Sequence, residues 1–150
     1  MLVTNHVLSG AFIGHASRSI PVALTVGVLS HLVLDSVPHW GDERPIQDVM
    51  HIAVPDGLIG LATMAVVTSA TGRDRRLRVL AGMAGAAFLD LDKPSRVFFG
   101  FSPFPRAVDD VHGWVQRESP RRMPQELLVG ASGMALLALL TRHRRHRPGG

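Results

Sequence analysis

The chain of 150 residues contains no cysteine, and this absence narrows its chemistry. Disulfide bonds and thiolate metal ligands are both excluded, because each requires a cysteine side chain. Any metal ion must therefore be held by histidine and carboxylate side chains. The chain has 8 histidines and 12 acidic residues that could do this.

Further absences concern processing and catalysis. The N-terminal segment MLVTNHVLSGAFIGHA has no basic residue before its apolar part and is interrupted by His6 and His15, so we expect no signal peptide. There is no internal repeat and no low-complexity linker, which favours a single domain over residues 1–150. The sequence has neither a Ser-His-Asp order nor a Gly-rich phosphate loop, so neither motif is an alternative to a metal site.

Apolar residues are abundant and clustered. The chain is 46% hydrophobic with a mean hydropathy of +0.19, which is high for a soluble domain. A weakly apolar helix is expected over residues 2–17, and four longer apolar stretches cover residues 20–38, 53–71, 77–91 and 126–141. We therefore predict an all-α fold, a polytopic membrane bundle of about five helices in one membrane-embedded domain. A soluble bundle of buried helices is the alternative.

Proline and glycine predict where these helices begin and end. Pro21 and Pro55 suit the first turns of the second and third helices, and Gly72 suits the C-terminal cap of the third. Pro94 should end the fourth helix near Lys93. The proline-rich segment 94–125 is predicted to be a long irregular loop.

The basic residues predict an orientation. Arginines cluster in residues 72–78 and 141–147, and Arg18 lies between the first two helices. With five spans all three segments fall on one side, which the positive-inside rule makes cytoplasmic, so the C-terminus is inside and the N-terminus outside. Basic runs also occur in nucleic-acid-binding arms, but these abut apolar helices, so we expect a lipid bilayer as partner and no nucleic acid. Residues 141–150 are predicted to be a disordered basic tail.

Under this topology most acids and several histidines fall on the outer side. His6, near the outer start of the first helix, could join them. The outer set otherwise comprises His39, Asp42, His51, Asp56, Asp90, Asp92, Asp109, Asp110 and His112.

The stretch SHLVLDSVPHW, residues 30–40, carries the clearest signal. An ionisable group within a spanning helix costs about 2.5–3.5 kcal/mol, so such groups usually pair inside a bundle. His31 and Asp35 are four residues apart, which places them on one helix face about 6 Å apart along the axis, and they can converge on one ion. His39 lies about 12 Å from His31 in a straight helix. We therefore expect a second ion or a helix break at Pro38.

Other candidates each have a simpler explanation. Asp90 lies near a helix C-terminus, where the macrodipole disfavours a carboxylate, so a cation should compensate. Lys93 or Arg96 could supply that charge, and so could a metal ion. Asp56 follows Pro55 in a predicted first turn, where an acid stabilises the helix itself. His112 could reach back from the predicted loop as a ligand, or be an ordinary polar loop residue.

Several segments together resemble the small predicted membrane-bound metal-dependent hydrolases of bacteria. The matching segments are NHVLSGAFIG, SHLVLDSVPHW, PDG, AGAAFLDLDKP and HGWVQRE, within residues 5–118. The His31–Asp35 spacing is also similar to the His-x-x-x-Asp element of zinc-dependent phospholipase C, although this chain lacks the later His-x-x-x-Glu element. The first resemblance implies a metal site in a membrane protein of the bacterial inner membrane. The second implies that His31 and Asp35 bind zinc.

These observations predict a metal-dependent hydrolase acting at the outer face on a phosphoester, a phospholipid or a lipid-linked substrate. The predicted ligands are His31, Asp35, His39 and Asp90, and Asp56 and His112 are further ligands or the general base. Zinc is the expected divalent ion, with manganese or iron as alternatives. The rival hypotheses are a non-catalytic protein that uses the same cluster for ion binding or transport, and a structural subunit in which these residues only pair helices.

Overall fold

The computed structural model describes residues 1–42, 44 and 46–145. These residues form α-helices and short 3-10 helices, and the only β-pairing among them is a single bridge between His39 and Glu118. The 3-10 helices are Ile46–Val49, Leu89–Leu91 and Pro120–Arg122. The α-helices are α1 (Val3–Ala16), α2 (Ile20–Ser36), α3 (Met50–Ala70), α4 (Arg73–Ala87), α5 (Asp92–Phe99), α6 (Arg106–Val115) and α7 (Met123–Arg145). The all-α prediction is confirmed.

The ends of α2 position the residues after Asp35. At its start the Ser19 hydroxyl accepts the Val22 N–H at 3.4 Å, and Pro21 lies in the first turn as predicted. The helix ends at Ser36, and Val37 is extended with φ −83° and ψ 139°. The residue before a proline disfavours helical angles, so Pro38 accounts for this end. The chain therefore leaves the helix directly after Asp35.

Two predicted helix ends are wrong. Helix α3 starts at Met50, so Pro55 lies inside it and leaves the His51 carbonyl without an intrahelical N–H donor. Gly72 is the N-cap of α4 and does not cap α3. Its carbonyl accepts the N–H groups of Arg75 and Arg76 at 3.0 and 3.1 Å, and Thr71 is the C-cap of α3.

The predicted irregular loop over residues 94–125 is also wrong, because the segment contains most of α5, all of α6 and the start of α7. Four of its five prolines, all except Pro103, stand at helix starts, where a missing N–H costs nothing. Pro94 is in the first turn of α5, Pro105 is the N-cap of α6, and Pro124 is in the first turn of α7. The fourth helix accordingly ends at Ala87, earlier than predicted.

Helices α1, α2 and α4 form the centre of the bundle through close backbone contacts. A Cβ atom added at Gly10 would collide with the Gly82 carbonyl oxygen, and one added at Gly85 would collide with the Leu24 carbonyl oxygen. One added at Gly27 would lie 2.6 Å from the Gly82 carbonyl oxygen. Small residues at such positions allow helices to approach closely, a common arrangement in membrane proteins. Helices α3 and α7 pack against α1.

The apolar core lies between α1, α3, α4 and α7. Its fully or nearly fully buried members are Val7, Leu8, Ala11, Val67, Val79, Met83 and Leu137. Three of these, Val7, Leu8 and Ala11, follow His6 along α1, so apolar packing begins directly beside the polar cluster described below.

The two ends of the bundle differ in charge. Arg18 lies in the α1–α2 connection, and Arg78 near the start of α4 donates to the Ser17 carbonyl oxygen at 2.8 Å, so both are at one end. Glu126, near the start of α7, accepts the Leu2 N–H at 3.1 Å, so α7 starts at the opposite end. We call these the arginine end and the site end. Residues 141–145 of the predicted disordered tail continue α7, and residues 146–150 lie outside the described residues.

Within the described part of the chain, two helices are long and apolar enough to cross a membrane. They span Gln47–Ala70 and Pro120–Thr141, with 24 and 22 residues. Helix α2 is apolar but has 17 residues, and α1 and α4 have 14 and 15. A membrane span usually needs about 20 residues. Length and composition thus support two of the five predicted spans.

Candidate metal centre

Helix α2 presents His31 and Asp35 to the interior of the site end. Both side chains are fully buried, and His31 Nε2 lies 3.2 Å from Asp35 Oδ2. The i, i+4 spacing produces this contact, since such residues are neighbours on one helix face. The structure therefore brings together the two residues that the sequence paired.

The other nitrogen of the His31 ring determines its tautomer. Nδ1 lies 2.7 Å from the backbone carbonyl oxygen of Ala86 at the end of α4. A carbonyl oxygen can only accept, so Nδ1 carries a proton and donates it. In a neutral ring this leaves a lone pair on Nε2, directed toward Asp35. Histidines that bind metals are commonly oriented by such a bond from the opposite ring nitrogen.

His112 joins this pair from α6. Its side chain is buried, and its Nε2 lies 3.0 Å from His31 Nε2 and 3.3 Å from Asp35 Oδ2. Gln116, one turn further along α6, has its side-chain nitrogen 3.1 Å from His112 Nε2 and 3.4 Å from Asp35 Oδ2. We call His31, Asp35 and His112 the primary set.

The spacing within the primary set matches that of metal ligands. Its three facing atoms, two imidazole nitrogens and one carboxylate oxygen, are 3.0–3.3 Å from one another. Ligand atoms about 2.1 Å from an ion and about 90–109° apart are separated by about 3.0–3.4 Å. The set can therefore hold a divalent ion. Alternatively, a proton shared between His31 Nε2 and His112 Nε2 can hold these side chains together without an ion.

The second oxygen of Asp35 faces a different group of atoms. Oδ1 lies 3.1 Å from His6 Nε2 and 3.8 Å from His39 Nε2. The backbone nitrogen of Met1 is 3.3 Å from the same oxygen. The rings of His6 and His31 stack, with centroids 4.0 Å apart and an angle of 18° between their planes. Each stacked ring therefore faces one oxygen of the same carboxylate.

His39 reaches Asp35 because α2 ends before it. The segment after α2 pairs with the chain beyond α6, where His39 N–H donates to the Arg117 carbonyl at 3.0 Å and Ser119 N–H donates to the His39 carbonyl at 2.9 Å. His39 Nδ1 is 2.8 Å from the Val37 carbonyl oxygen and donates to it. Burial lowers the pKa of His39, with a further contribution from the nearby N-terminal amine, so the neutral ring presents an Nε2 lone pair.

Asp90 lies beside the same cluster in the 3-10 helix after α4. Its Oδ2 is 4.0 Å from His6 Nε2, and its Oδ1 is 2.8 Å from the Lys93 ammonium. Burial alone would lower the pKa of Lys93, but the Asp90 carboxylate raises it above its usual value. Lys93 thus supplies the positive charge that compensates the Asp90 carboxylate after the C-terminal end of α4. Arg96 pairs instead with Asp109, at 2.6 Å.

Asp56, predicted as a general base or further ligand, belongs to neither of the two groups of ligand atoms that lie within 4.8 Å of one another. Its carboxylate accepts the N–H groups of Val3 and Thr4 at 2.7 and 3.2 Å. These are free donors in the first turn of α1, where a negative charge is favourable. Asp56 therefore caps the start of a neighbouring helix, which its position after Pro55 did not reveal.

Glu126 is a buried acid that the sequence reasoning did not select. It is 1% exposed, and its side-chain oxygens accept N–H groups from Leu2 at 3.1 Å, the Asn5 side chain at 2.7 Å and Trp40 at 3.2 Å. Asn5 precedes His6 and Trp40 follows His39, so these bonds hold both histidines in place. A lone acid at the start of a long apolar helix was the available signal.

Buried His/Asp groups in the described chain can thus hold a metal ion. Two groups have one ligand atom per residue within 4.8 Å of the others, namely His31, Asp35 and His112, and His6, His31 and Asp90. Comparison of the chain with protein-family models, curated proteins and solved structures found no match. The function must therefore be inferred from the geometry and chemistry of the site.

Proposed function

We propose that the chain is a membrane-embedded, metal-dependent hydrolase that acts on a phosphoester or lipid-linked substrate through the primary set. One observation carries the proposal. With Nδ1–H donated to Ala86, a neutral His31 ring directs its Nε2 lone pair toward Asp35 Oδ2 at 3.2 Å in a buried position, and His112 Nε2 lies 3.0 Å away. Two electron-rich atoms so close repel each other at low dielectric unless a cation lies between them.

The donor set suits zinc. Imidazole nitrogen and carboxylate oxygen are ordinary zinc ligands, and manganese and iron share them. Three protein ligands leave a coordination position for water or substrate, which is the pattern of catalytic rather than structural zinc sites. Such an ion would lower the pKa of a bound water toward neutrality and stabilise charge on the attacked group.

Asp90 and Lys93 provide the neighbouring charges that this chemistry needs. Asp90 is proposed as a further ligand or neighbouring charge of the ion, because it lies beside His6 in the cluster, whereas both Asp56 oxygens accept N–H groups of α1. The Lys93 side chain is 38% exposed, so its ammonium can meet an anionic substrate at the edge of the site. His112 is proposed as a ligand of the ion.

The exposed apolar surface supports a membrane location. Only 11% and 17% of the most apolar windows of the two long helices are buried. Leu58, Leu61, Leu128 and Leu139 are each more than 60% exposed. A soluble protein seldom leaves such continuous apolar surface uncovered, whereas lipid tails would cover it. We propose that α1, α2 and α4 also lie within the bilayer, with the arginine end cytoplasmic.

Aromatic residues near the site end support access from the lipid side. Phe98 and Phe99 at the end of α5 are 69% and 72% exposed, and Trp114 on α6 is 84% exposed. Helix α6 directs His112 inward and Trp114 outward. Exposed aromatic side chains favour the membrane–water interface, so this face would bring the primary set close to lipid headgroups.

An ion-transport function would require polar groups that continue from the primary set toward the arginine end. Along α1, however, the buried residues after His6 include Val7, Leu8 and Ala11, and His15 is the next ionisable residue. The polar cluster thus meets apolar packing on one side. This arrangement favours a reaction at a closed site over passage through the bundle.

Hydrolysis of bis(p-nitrophenyl) phosphate by the detergent-purified, zinc-loaded chain tests the proposal. We expect His31→Ala and Asp35→Asn each to lose most activity, and the double variant to be little worse, because ligands of one ion act as a unit. His51→Ala is the matched control, since His51 is exposed at the start of α3, and it should keep full activity. Full activity of Asp35→Asn would contradict the proposed mechanism.

A further inference from the structure

We propose that the arginine end carries a binding site for one anionic phospholipid, where the α1–α2 connection meets the start of α4. An apolar groove takes an acyl chain, and an adjoining recess lined by arginines takes the phosphate. The site is separate from the primary set. It rests on the proposed membrane location of the bundle and is independent of the proposed hydrolysis.

The groove lies between the end of α1 and the start of α2. Its volume is about 390 Å³, and its apolar lining is Ile13, Ala16, Val22 and Val26. Val22 and Val26 are 49% and 41% exposed. They are four residues apart and therefore share one face of α2. Apolar side chains from two helices thus form an open groove on the surface of the bundle.

An apolar stripe on α2 extends the groove toward the site end. Leu29 and Val33 follow Val22 and Val26 at helical spacing, and they are 54% and 63% exposed. Between Val22 and Val33 the helix rises about 17 Å. This is about half of the roughly 30 Å hydrocarbon core of a bilayer, which is the depth of one leaflet. The groove and the stripe together match the length of one acyl chain.

The recess adjoins the groove, because Arg18 lines both cavities. The recess has a volume of about 490 Å³, and its charged lining is Arg18, Arg73, Asp74 and Arg78. Asp74 pairs with Arg75, at 3.0 Å. The ion pairs of the described residues do not include Arg18 or Arg73. The recess therefore carries an excess of positive charge.

Arg78 is held where the recess meets the α1–α2 connection. Its guanidinium donates to the backbone carbonyl oxygens of Ser17 at 2.8 Å and Asp74 at 3.5 Å. Both acceptors are neutral, so these bonds position the guanidinium without cancelling its charge. An arginine has five N–H donors, and those that remain can bind the oxygens of a phosphate.

The charge and the two cavities together select an anionic phospholipid. Basic pockets between transmembrane helices on the cytoplasmic side bind anionic headgroups, and the proposed topology places the arginine end on that side. A zwitterionic headgroup brings its own cation and leaves the arginines uncompensated. A free phosphate ion would fill the recess and leave the groove empty, whereas a lipid accounts for both.

Native mass spectrometry of the delipidated, detergent-purified full chain tests the site, with dioleoyl phosphatidylglycerol as the probe. We expect one lipid per chain, bound at least about tenfold more tightly than dioleoyl phosphatidylcholine. The Arg18→Gln, Arg73→Gln double variant should bind phosphatidylglycerol about 30-fold more weakly, because each arginine near an anionic lipid contributes about a factor of five. Both arginines are exposed, so this variant should keep the fold.

The matched control is the Arg106→Gln, Arg121→Gln double variant. It removes the same charge from exposed positions outside the recess and should bind phosphatidylglycerol like the wild type. Inorganic phosphate is the second control and should not displace the lipid at the same concentration. Displacement by phosphate would show a phosphate site and overturn the use of the groove.

The failure of this inference is distinguishable from the failure of the proposed function. Equal affinity for the two lipids, or equal loss in both double variants, would overturn the lipid site alone. Hydrolysis of bis(p-nitrophenyl) phosphate should be unchanged in Arg18→Gln, Arg73→Gln, because the recess and the primary set lie at opposite ends of the bundle. A chain that stays monodisperse without detergent and binds no phosphatidylglycerol would overturn both the lipid site and the membrane location.

Discussion

Removal of Glu126 should be strongly destabilising, because this buried carboxylate links α1, α7 and the segment after α2. It accepts three N–H groups, from Leu2, the Asn5 side chain and Trp40, at 2.7–3.2 Å. A hydrogen bond to a charged group contributes about 1.5–3 kcal/mol. We expect Glu126→Ala to lower the free energy of unfolding by about 3–5 kcal/mol, less than the sum because water can enter and satisfy some of the donors.

Denaturant unfolding in detergent micelles, followed by tryptophan fluorescence, measures this loss. Glu126→Gln keeps one acceptor oxygen and should lose about half as much. Glu118→Ala is the matched control, because Glu118 is exposed and should change stability by less than about 0.5 kcal/mol. A Glu126→Ala protein within about 1 kcal/mol of the wild type would refute the assignment of three bonds to a buried charge.

Three further predictions concern packing, capping and topology. Gly10→Ala should destabilise the bundle by about 1–3 kcal/mol, because the added Cβ would collide with the α4 backbone. Gly57→Ala should stabilise the bundle by about 0.5–1 kcal/mol, because a Cβ at Gly57 would have no neighbour within 4 Å. Equal effects of the two substitutions in thermal melts would contradict the packing. Asp56→Ala should cost about 0.5–2 kcal/mol of stability through the lost cap of α1 yet leave metal content unchanged, and loss of metal from folded protein would return Asp56 to the site. Reporter fusions after Gly72 and at Gly150 should both report a cytoplasmic location, and opposite results would exclude five spans.

The local part of the site could be predicted from the sequence. The i, i+4 spacing of His31 and Asp35 determines their contact in any helix, and Pro38 marks where that helix ends. The position of His39 could not be predicted from the helix end alone, because it also depends on the pairing of its backbone with Arg117 and Ser119. The sequence offered the helix break as one option but not this pairing.

The long-range part could not be predicted with the same certainty. His112 lies 77 residues from Asp35 in the sequence, and its position depends on α6. The prolines of residues 94–125 predicted a loop where α6 forms. Prolines at helix starts and prolines in loops look alike without tertiary context. The role of Asp56 was obscured for a similar reason, because it caps α1 rather than its own helix.

The central claim is that His31 and Asp35 hold a metal ion rather than a shared proton. Metal analysis of detergent-purified wild-type protein, beside a folded His31→Ala, Asp35→Ala double variant, tests it most directly. We predict at least one tightly bound divalent ion per wild-type chain and none in the double variant. Wild-type protein that binds no ion after incubation with zinc or manganese, or a double variant that binds as much as the wild type, would contradict the claim.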